Sequence, residues 1–155
     1  ILTALEENFL SSVRFSREVI PYMKQQRWGR IVHLLPDISR AAGRGRALST
    51  TSQLAVMGYS KSLANELAPF NITVNNLISG PVETDFLTST VENEAQESGK
   101  DFDALMRDTV TSVPMGRLGK PEEVGDLVSF IASDRASFLT GTSVVLDGGM
   151  RQTIN

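Results

Sequence analysis

The sequence predicts an α/β layer fold with parallel strands, on three observations. Stretches with apolar residues at three- and four-residue intervals alternate with short runs of branched apolar residues. The short runs are nearly continuous in apolar character, as strands buried on both faces are. The helical stretches between them are long enough to be crossover connections, which makes neighbouring strands parallel.

The first helix is expected from Thr3 to about Gln26. Leu5, Phe9, Val13, Phe15, Val19, Ile20 and Met23 fall at three- and four-residue intervals. Pro21 removes a helical donor and is expected to bend it. Trp28-Gly29 is read as its end, with the glycine as stop signal. Arg30 to Leu35, RIVHLL, reads as a buried strand broken by Pro36-Asp37. Residues 39–47 are rich in glycine and arginine and read as a loop. A long helix follows from Leu48 to Pro69, with small residues Ala47, Ala55, Gly58, Ala64 and Ala68 that allow a neighbour to approach closely. Ile72 to Ile78 reads as the second strand. Residues 79–85, Ser-Gly-Pro-Val-Glu-Thr-Asp, form a loop. The segment 86–112 is polar, with weak helical spacing through Val91, Phe102, Leu105, Met106 and Val110, and is expected to be a mobile helical flap within one domain spanning 1–155. Pro121-Glu122-Glu123 opens a helix to about Ser133, with proline and acids where the helix dipole favours them. Ser143 to Leu146 is the last strand, ending at Asp147-Gly148-Gly149.

Composition narrows the chemistry. The chain has 155 residues, 41% of them hydrophobic, enough for one domain with a core. It has no cysteine, which excludes disulfides, thiolate metal sites and cysteine nucleophiles. His33 is the single histidine, which excludes a histidine-rich metal site. A net charge of −3 gives no ground for a nucleic-acid partner. Arg27, Arg30, Arg40, Arg44 and Arg46 are read as a solvated basic run rather than an anion site. No apolar run approaches the ~20 residues of a membrane span, and no signal peptide is visible, so a cytoplasmic location is the default expectation. The chain starts at Ile1 without an initiator methionine and inside a helical pattern, so a partial chain is expected.

Several stretches, in order, carry a resemblance. They are Gly29-Arg30-Ile31-Val32, then Ser62 to Pro69 with Ile72-Thr73-Val74-Asn75, then Ser79 to Asp85. Pro114 to Val124, Leu139-Thr140-Gly141 and Val145-Leu146-Asp147-Gly148-Gly149 complete it. Any one of these is weak, but their order and spacing are specific. Together they resemble the short-chain dehydrogenase/reductase family, especially its 3-oxoacyl-carrier-protein-reductase-like members. The resemblance implies the C-terminal part of a Rossmann-type doubly wound parallel sheet, about three parallel strands with flanking helices, with the N-terminal half absent. The family's glycine-rich pyrophosphate turn has no counterpart here, since no Gly-x-x-x-Gly-x-Gly follows a strand. The glycines Gly43 and Gly45 lack that pattern and read as a flexible loop.

The resemblance also implies a chemistry. Family members move a hydride between NAD or NADP and a carbonyl or alcohol, with a tyrosine phenol handling the proton and a lysine four residues later lowering its pKa. By family spacing the tyrosine position falls on Ser49, the lysine position on Gln53, the serine position on Pro36 and the relay-asparagine position on Asn8. Ser49 and Gln53 cannot perform the standard proton transfer: a hydroxyl is a weaker acid than a phenol, and the amide carries no charge. Each also has a plain structural reading, Ser49 as a helix N-cap and Asn8 as a capping or solvent-facing residue. Ser39 could stand in for the serine only if its loop were shifted. Tyr59 and Lys61 are two apart and point to nearly opposite sides of a helix, so the tyrosine is read as packing and the lysine as a surface charge. His33 is read as a hydrogen-bonded core histidine.

Gly80, Val82 and Thr84 match the family loop that meets the nicotinamide carboxamide. The loop has Ser79 where proline is usual. Two functions are therefore expected. One is a fragment of an NAD(P)-dependent oxidoreductase acting on a small-molecule carbonyl or alcohol, with a substituted catalytic set like that of a divergent subgroup lacking the Tyr-Lys pair. The other is a catalytically inactive relative serving as a dinucleotide-binding or partner-subunit module. The resemblance implies a homo-dimer or tetramer formed through the helices that begin near Thr3 and Leu48.

Overall fold

The computed structural model of the chain describes residues 2–37 and 47–152. The expectations placed on Ser39, on Gly43 and Gly45, and on Arg40, Arg44 and Arg46 lie outside the described residues.

The N-terminal helix runs without a break through α1 (Leu2–Leu5), a π-helical stretch (Glu6–Leu10) and α2 (Ser11–Gln26), because the junction residues Leu5, Leu10 and Ser11 keep right-handed helical geometry. β1 (Gly29–Pro36), α3 (Ala47–Leu67) and β2 (Ile72–Ser79) follow. Next come α4 (Asp85–Ser98), α5 (Phe102–Thr111), α6 (Pro121–Ile131) and β3 (Ser143–Leu146). The three strands form a parallel sheet in the order β1-β2-β3. This is the α/β architecture the alternation predicts.

The central strand is buried along its length from Ile72 to Ile78, which explains why its sequence shows no polar alternation. The register sets Ile31 beside Val74, His33 beside Asn76, and Leu35 beside Ile78. That face packs under α2 and α3. Leu63, Ala64 and Leu67 close on Ile72 and Val74, with Ile20, Met23 and Ile31 around them. Val56 closes on Leu35 and Ile78. Thr73, Asn75 and Leu77 point the other way and are equally buried, with α6 in contact with β1 and β2. Each large apolar side chain so buried contributes about 1.5–3 kcal/mol before its entropy cost.

Two consecutive asparagines sit inside this apolar strand, and both are structural. Asn75 Nδ2 donates to Leu139 O at 2.8 Å and its Oδ1 accepts from Thr142 N at 3.4 Å, which pins the turn before β3. Asn76 Oδ1 accepts from Ser60 Oγ at 2.8 Å and its Nδ2 donates to Ser143 Oγ at 3.2 Å, tying α3 to two strands.

Several boundaries differ from the expectation. The first helix ends at Gln26, and Arg27 rather than Gly29 takes the left-handed position (φ 50°), its N–H bonding back to Lys24 and Met23 carbonyls. Gly29 is the first strand residue. It is small because a Cβ there would lie 2.5 Å from the Met23 sulfur. Pro36 does not break β1 but forms its last residue, on an edge where proline costs no ladder bond. The long helix stops at Leu67 and gives way to a 3₁₀ turn (Ala68–Phe70) that holds Pro69. Of its small residues only Ala64 is buried, and a Cβ on Gly58 would meet nothing. Ala47 and Leu48 are already helical, so Ser49 lies inside the first turn and is not the N-cap. The last helix ends at Ile131, and a 3₁₀ turn (Asp134–Ala136) follows it.

The polar segment after β2 is a pair of helices. Thr84 caps α4 through its hydroxyl to Leu87 N at 3.3 Å, Gly99 ends it with φ 69°, and Asp101 caps α5 at 2.9 Å from Ala104 N. Val91, Leu105 and Thr109 are the buried residues of the pair, and Val113 just after it is buried too. Among the described residues no helix is long and apolar enough to cross a membrane.

Candidate functional site

The three strands end level with one another, since the register pairs Pro36 with Ser79 and Ser79 with Leu146. Ligands of open parallel sheets bind at this carboxyl end, and the candidate residues gather at two places near it.

The first place is a cleft of about 330 Å³ between the N-terminal helix and β1. Asn8, Ser11, His33, Pro36 and Gln53 are among its lining residues. Asn8 sits in the middle of the π-helical stretch, where Ser11 N–H bonds Glu6 O five residues back. Such single π-turns shift side chains out of helical phase and recur at functional positions. β1 pairs only with β2 among the described residues, and Val32 to Pro36 along its outer edge form one wall of the cleft. The structure thus brings Asn8, Gln53 and Pro36 together.

Ser49 joins them through Gln53, whose Nε2 donates to Ser49 Oγ at 3.1 Å. Helical spacing brings the two residues within reach of one another. Gln53 is only 5% exposed, and its Oε1 is a buried acceptor with no partner among the described residues. A buried acceptor without a donor is costly. No charge stands near the Ser49 hydroxyl in this pair to lower its pKa.

His33 is held on the inner face of the sheet. Ser60 Oγ lies 2.8 Å from Val56 O, 2.8 Å from Asn76 Oδ1 and 2.9 Å from His33 Nδ1. Ser60 has one proton and both oxygens only accept, so the accounting assigns the remaining proton to His33 Nδ1, donating to Ser60. The lone pair is then on Nε2. Burial lowers the pKa of His33 below its ordinary value. Tyr59 packs its ring against Phe9 edge-on at 6.0 Å and near His33 at 6.5 Å. Lys61 is exposed and donates to Gly141 O at 3.0 Å. The structure therefore places both of them away from the Ser49–Gln53 pair.

The second place is the loop after β2. Gly80 N–H donates to Leu146 O at 2.9 Å, and a Cβ on Gly80 would lie 2.8 Å from Asp147 Cα. Its glycine is thus required by the close approach of β3. Val82 forms a parallel bridge with Gly119: Gly119 N–H donates to Pro81 O at 3.0 Å, and Glu83 N–H donates to Gly119 O at 2.9 Å. A parallel bridge of this kind uses the groups on either side of Val82 and turns Val82's own N–H and C=O the opposite way. The N–H has no partner among the described residues, and the carbonyl accepts only the Thr84 hydroxyl at 3.2 Å. The loop thus presents one donor and one acceptor side by side, the complement of a primary carboxamide. A small cavity of about 60 Å³ lies behind it, with Val82, Arg117, Glu123 and Asp147 in its lining.

Arg117 grips Glu123 with two hydrogen bonds, 2.9 and 2.7 Å, and Glu123 also accepts Lys120 N–H at 2.8 Å. The Arg117 bond, then the Lys120 backbone bond, holds the Glu123 carboxyl down at about 2. Among the described residues no three His, Asp or Glu side chains are grouped to hold a metal ion.

Sequence reasoning did not single out Asp37 and Arg151, which pair at 3.2 Å across 114 residues of chain. Asp37 was visible only as a strand-ending residue, and nothing in the C-terminal Met-Arg-Gln marked the arginine.

Comparisons with known proteins place this geometry. A family model described as "Enoyl-(Acyl carrier protein) reductase" matches residues 1–151. The 3-oxoacyl-[acyl-carrier-protein] reductase FabG of Aquifex aeolicus is 34% identical over 146 residues, covering 94% of this chain and 54% of that protein. The crystal structure of YwfH, an NADPH dependent reductase involved in bacilysin biosynthesis, superposes with a TM-score of 0.89 at 29% identity, over 97% of this chain and 57% of that one. L-sorbose reductase from Gluconobacter frateurii, solved with NADPH and L-sorbose, superposes with a TM-score of 0.86 at 26% identity, over 97% and 58%. The chain spans about half the length of the curated relatives it matches.

Proposed function

The chain belongs to the short-chain dehydrogenase/reductase family, and from that premise we propose that it forms the nicotinamide side of an NAD(P)-dependent oxidoreductase acting on a carbonyl or alcohol. One observation carries this reading: the paired N–H and C=O of Val82, turned away from the Gly119 bridge. These groups fit the nicotinamide carboxamide. Gly80 keeps the loop tight against β3, and Thr84 fixes it by accepting from Leu87 N–H and donating to Val82 O. The dinucleotide, when bound, supplies the hydride. Relatives whose printed names include NADPH support the choice of cofactor class.

What the chain's own residues do to the proton is altered. Pro36 offers no hydroxyl to orient a carbonyl oxygen. Ser49 accepts a hydrogen bond from Gln53 and is not activated by it. Asn8 at the π-turn is the one position of the relay that keeps its residue type. We read turnover as weak, or as depending on another proton source.

A second reading is favoured by the Ser49–Gln53 pair itself. A neutral, mutually bonded pair in place of an acid and a cation suits a non-catalytic dinucleotide-binding or partner subunit. Either way an oligomer is expected. The two long helices expose Phe15 (77%), Tyr22 (68%), Leu48 and Leu54, an apolar content that favours pairing with a second copy.

Calorimetric titration with NADH and NADPH, followed by a carbonyl-reduction assay, separates the readings. Binding with turnover supports the first. Binding without turnover supports the second. Absence of binding to the protein that carries this chain would sink both.

A further inference from the structure

We propose that Arg151 recognises the substrate and takes a carboxylate, so that the compounds acted on are oxo or hydroxy acids. The inference rests on the oxidoreductase reading above and deepens it.

The C-terminal turn is built to place this arginine. Asp147 Oδ1 accepts Gly149 N–H at 2.9 Å, and Asp147 Oδ2 accepts Arg151 N–H at 2.8 Å. Gly148 and Gly149 take positive φ values (62° and 87°), which lets the chain turn so sharply after β3. Arg151 Nε then donates to Asp37 Oδ1 at 3.2 Å, just past the end of β1. β1 and β3 are not neighbours, because β2 lies between them. The Asp37–Arg151 bridge therefore spans the carboxyl end of β2, over the start of the loop that carries Gly80 and Val82. The pair thus stands at the same carboxyl end of the sheet as the loop that carries Val82.

The guanidinium is fixed as well as placed. The Asp37 side chain is 4% exposed and that of Arg151 is 19% exposed. The bond to Asp37 uses the Nε edge, and the two terminal amino groups have no partner among the described residues. A largely covered ion pair is weak grounds for stability in itself, since desolvation offsets much of its attraction. What it does provide is a planar fork with its orientation already set, the geometry that matches a carboxylate with two parallel hydrogen bonds. Asp37 already balances one charge, so the site suits a monoanion better than a phosphate dianion.

The test is calorimetric titration of the protein, with and without NADPH, using pyruvate, 2-oxobutanoate and levulinate, each against its neutral amide, and inorganic phosphate. At least one acid should bind roughly tenfold or more tightly than its amide, as for a charge-assisted bidentate contact. Arg151→Gln should erase that preference and leave amide affinity unchanged. Arg151→Lys keeps the charge without the fork and should retain only part of it, which guards against a variant that merely folds poorly. Asp37→Asn should weaken acid binding while the amide is unaffected. Equal affinity for acid and amide, or a preference that survives Arg151→Gln, overturns the proposal. Phosphate binding more tightly than every acid overturns the carboxylate assignment. Acid preference without any NADPH binding would sink the oxidoreductase reading alone. NADPH binding without acid preference would sink this inference alone.

Discussion

The loop after β2 and the first turns of α3 sit at the same end of one sheet and have opposite fates. The loop is made of main-chain groups: Gly80 bonds β3, and Val82 is set by Gly119 on both sides. Ser79 in place of the family's proline leaves those bonds intact. The helix turn is made of side chains, and on the reading proposed above Ser49 and Gln53 stand where an acid and a cation would act, as a neutral pair with a buried Gln53 Oε1 that has no partner among the described residues. A site built from backbone survives as long as the fold does. A site built from side chains depends on the identity of a few residues. Cofactor contact can therefore outlast proton transfer in the same domain.

The largest expected effect breaks the contrast from the helix side. Ser49→Tyr with Gln53→Lys places a phenol and a cation four residues apart on one helix. General acid catalysis of this kind is worth roughly 10²–10⁴-fold. The double variant should raise carbonyl reduction by about that lower figure, since Pro36 still offers no hydroxyl, while either single variant should gain little. A steady-state assay with NADPH checks this, and no gain in the double variant would mean the loss lies elsewhere than in the pair.

From the loop side, Gly80→Ala should do more harm than its size suggests. The new Cβ meets the backbone of Asp147 at 2.8 Å, which cannot swing aside as a flexible side chain would. Overpacking of this sort costs about 1–3 kcal/mol. Urea unfolding should show that loss, and NAD(P)H affinity should fall with it as the loop lifts from β3. The same substitution at Gly58 meets nothing and should be neutral or slightly stabilising, since alanine suits a helix better.

His33 shows how much of this was legible beforehand. Its place in a strand is plain from RIVHLL, and the structure does give it a hydrogen bond, but the strand is not buried throughout as expected: Leu35 is buried while Leu34 is exposed, because β1 pairs on one side only among the described residues. Its partners were not readable, because Ser60 lies 27 residues away on another element. The strands were legible because β2 is buried on both faces and so reads as a continuous apolar run. The stop of the first helix was misread because Gly29 looks like a cap, whereas its size answers to Met23. The Ser49–Gln53 contact could be foreseen from helical spacing alone, but the π-turn at Asn8, the Gly119 bridge and the Asp37–Arg151 pair are tertiary facts. His33 also yields a test. Its folded pKa lies below the ordinary value of 6.5, so the unfolded chain binds more protons in the window just below that pH. Stability should be full above pH 6.5 and fall as the pH drops below it. His33→Gln should flatten this part of the profile. As the chain's single histidine, its NMR titration reports the shift directly.

The smallest effect is expected at the pair that braces the loop from behind. Arg117 is exposed and Glu123 half-exposed, so their attraction is screened and adds little to global stability. Glu123 nevertheless titrates at about 2 rather than 4.5, first because Arg117 bonds it and then because Lys120 N–H does. A carboxyl depressed in the folded state contributes stability that is present above pH 4.5 and is lost as the pH falls toward 2. Glu123→Gln should thus leave the melting temperature at neutral pH nearly unchanged, and remove a small acid-side slope. Gly119 stands two residues from Arg117 and carries the bridge to Val82, so a slight loss of NADPH affinity should accompany the change. If affinity falls as far as in Gly80→Ala, the loop is not held by backbone bonds alone, and the contrast with the helix site weakens.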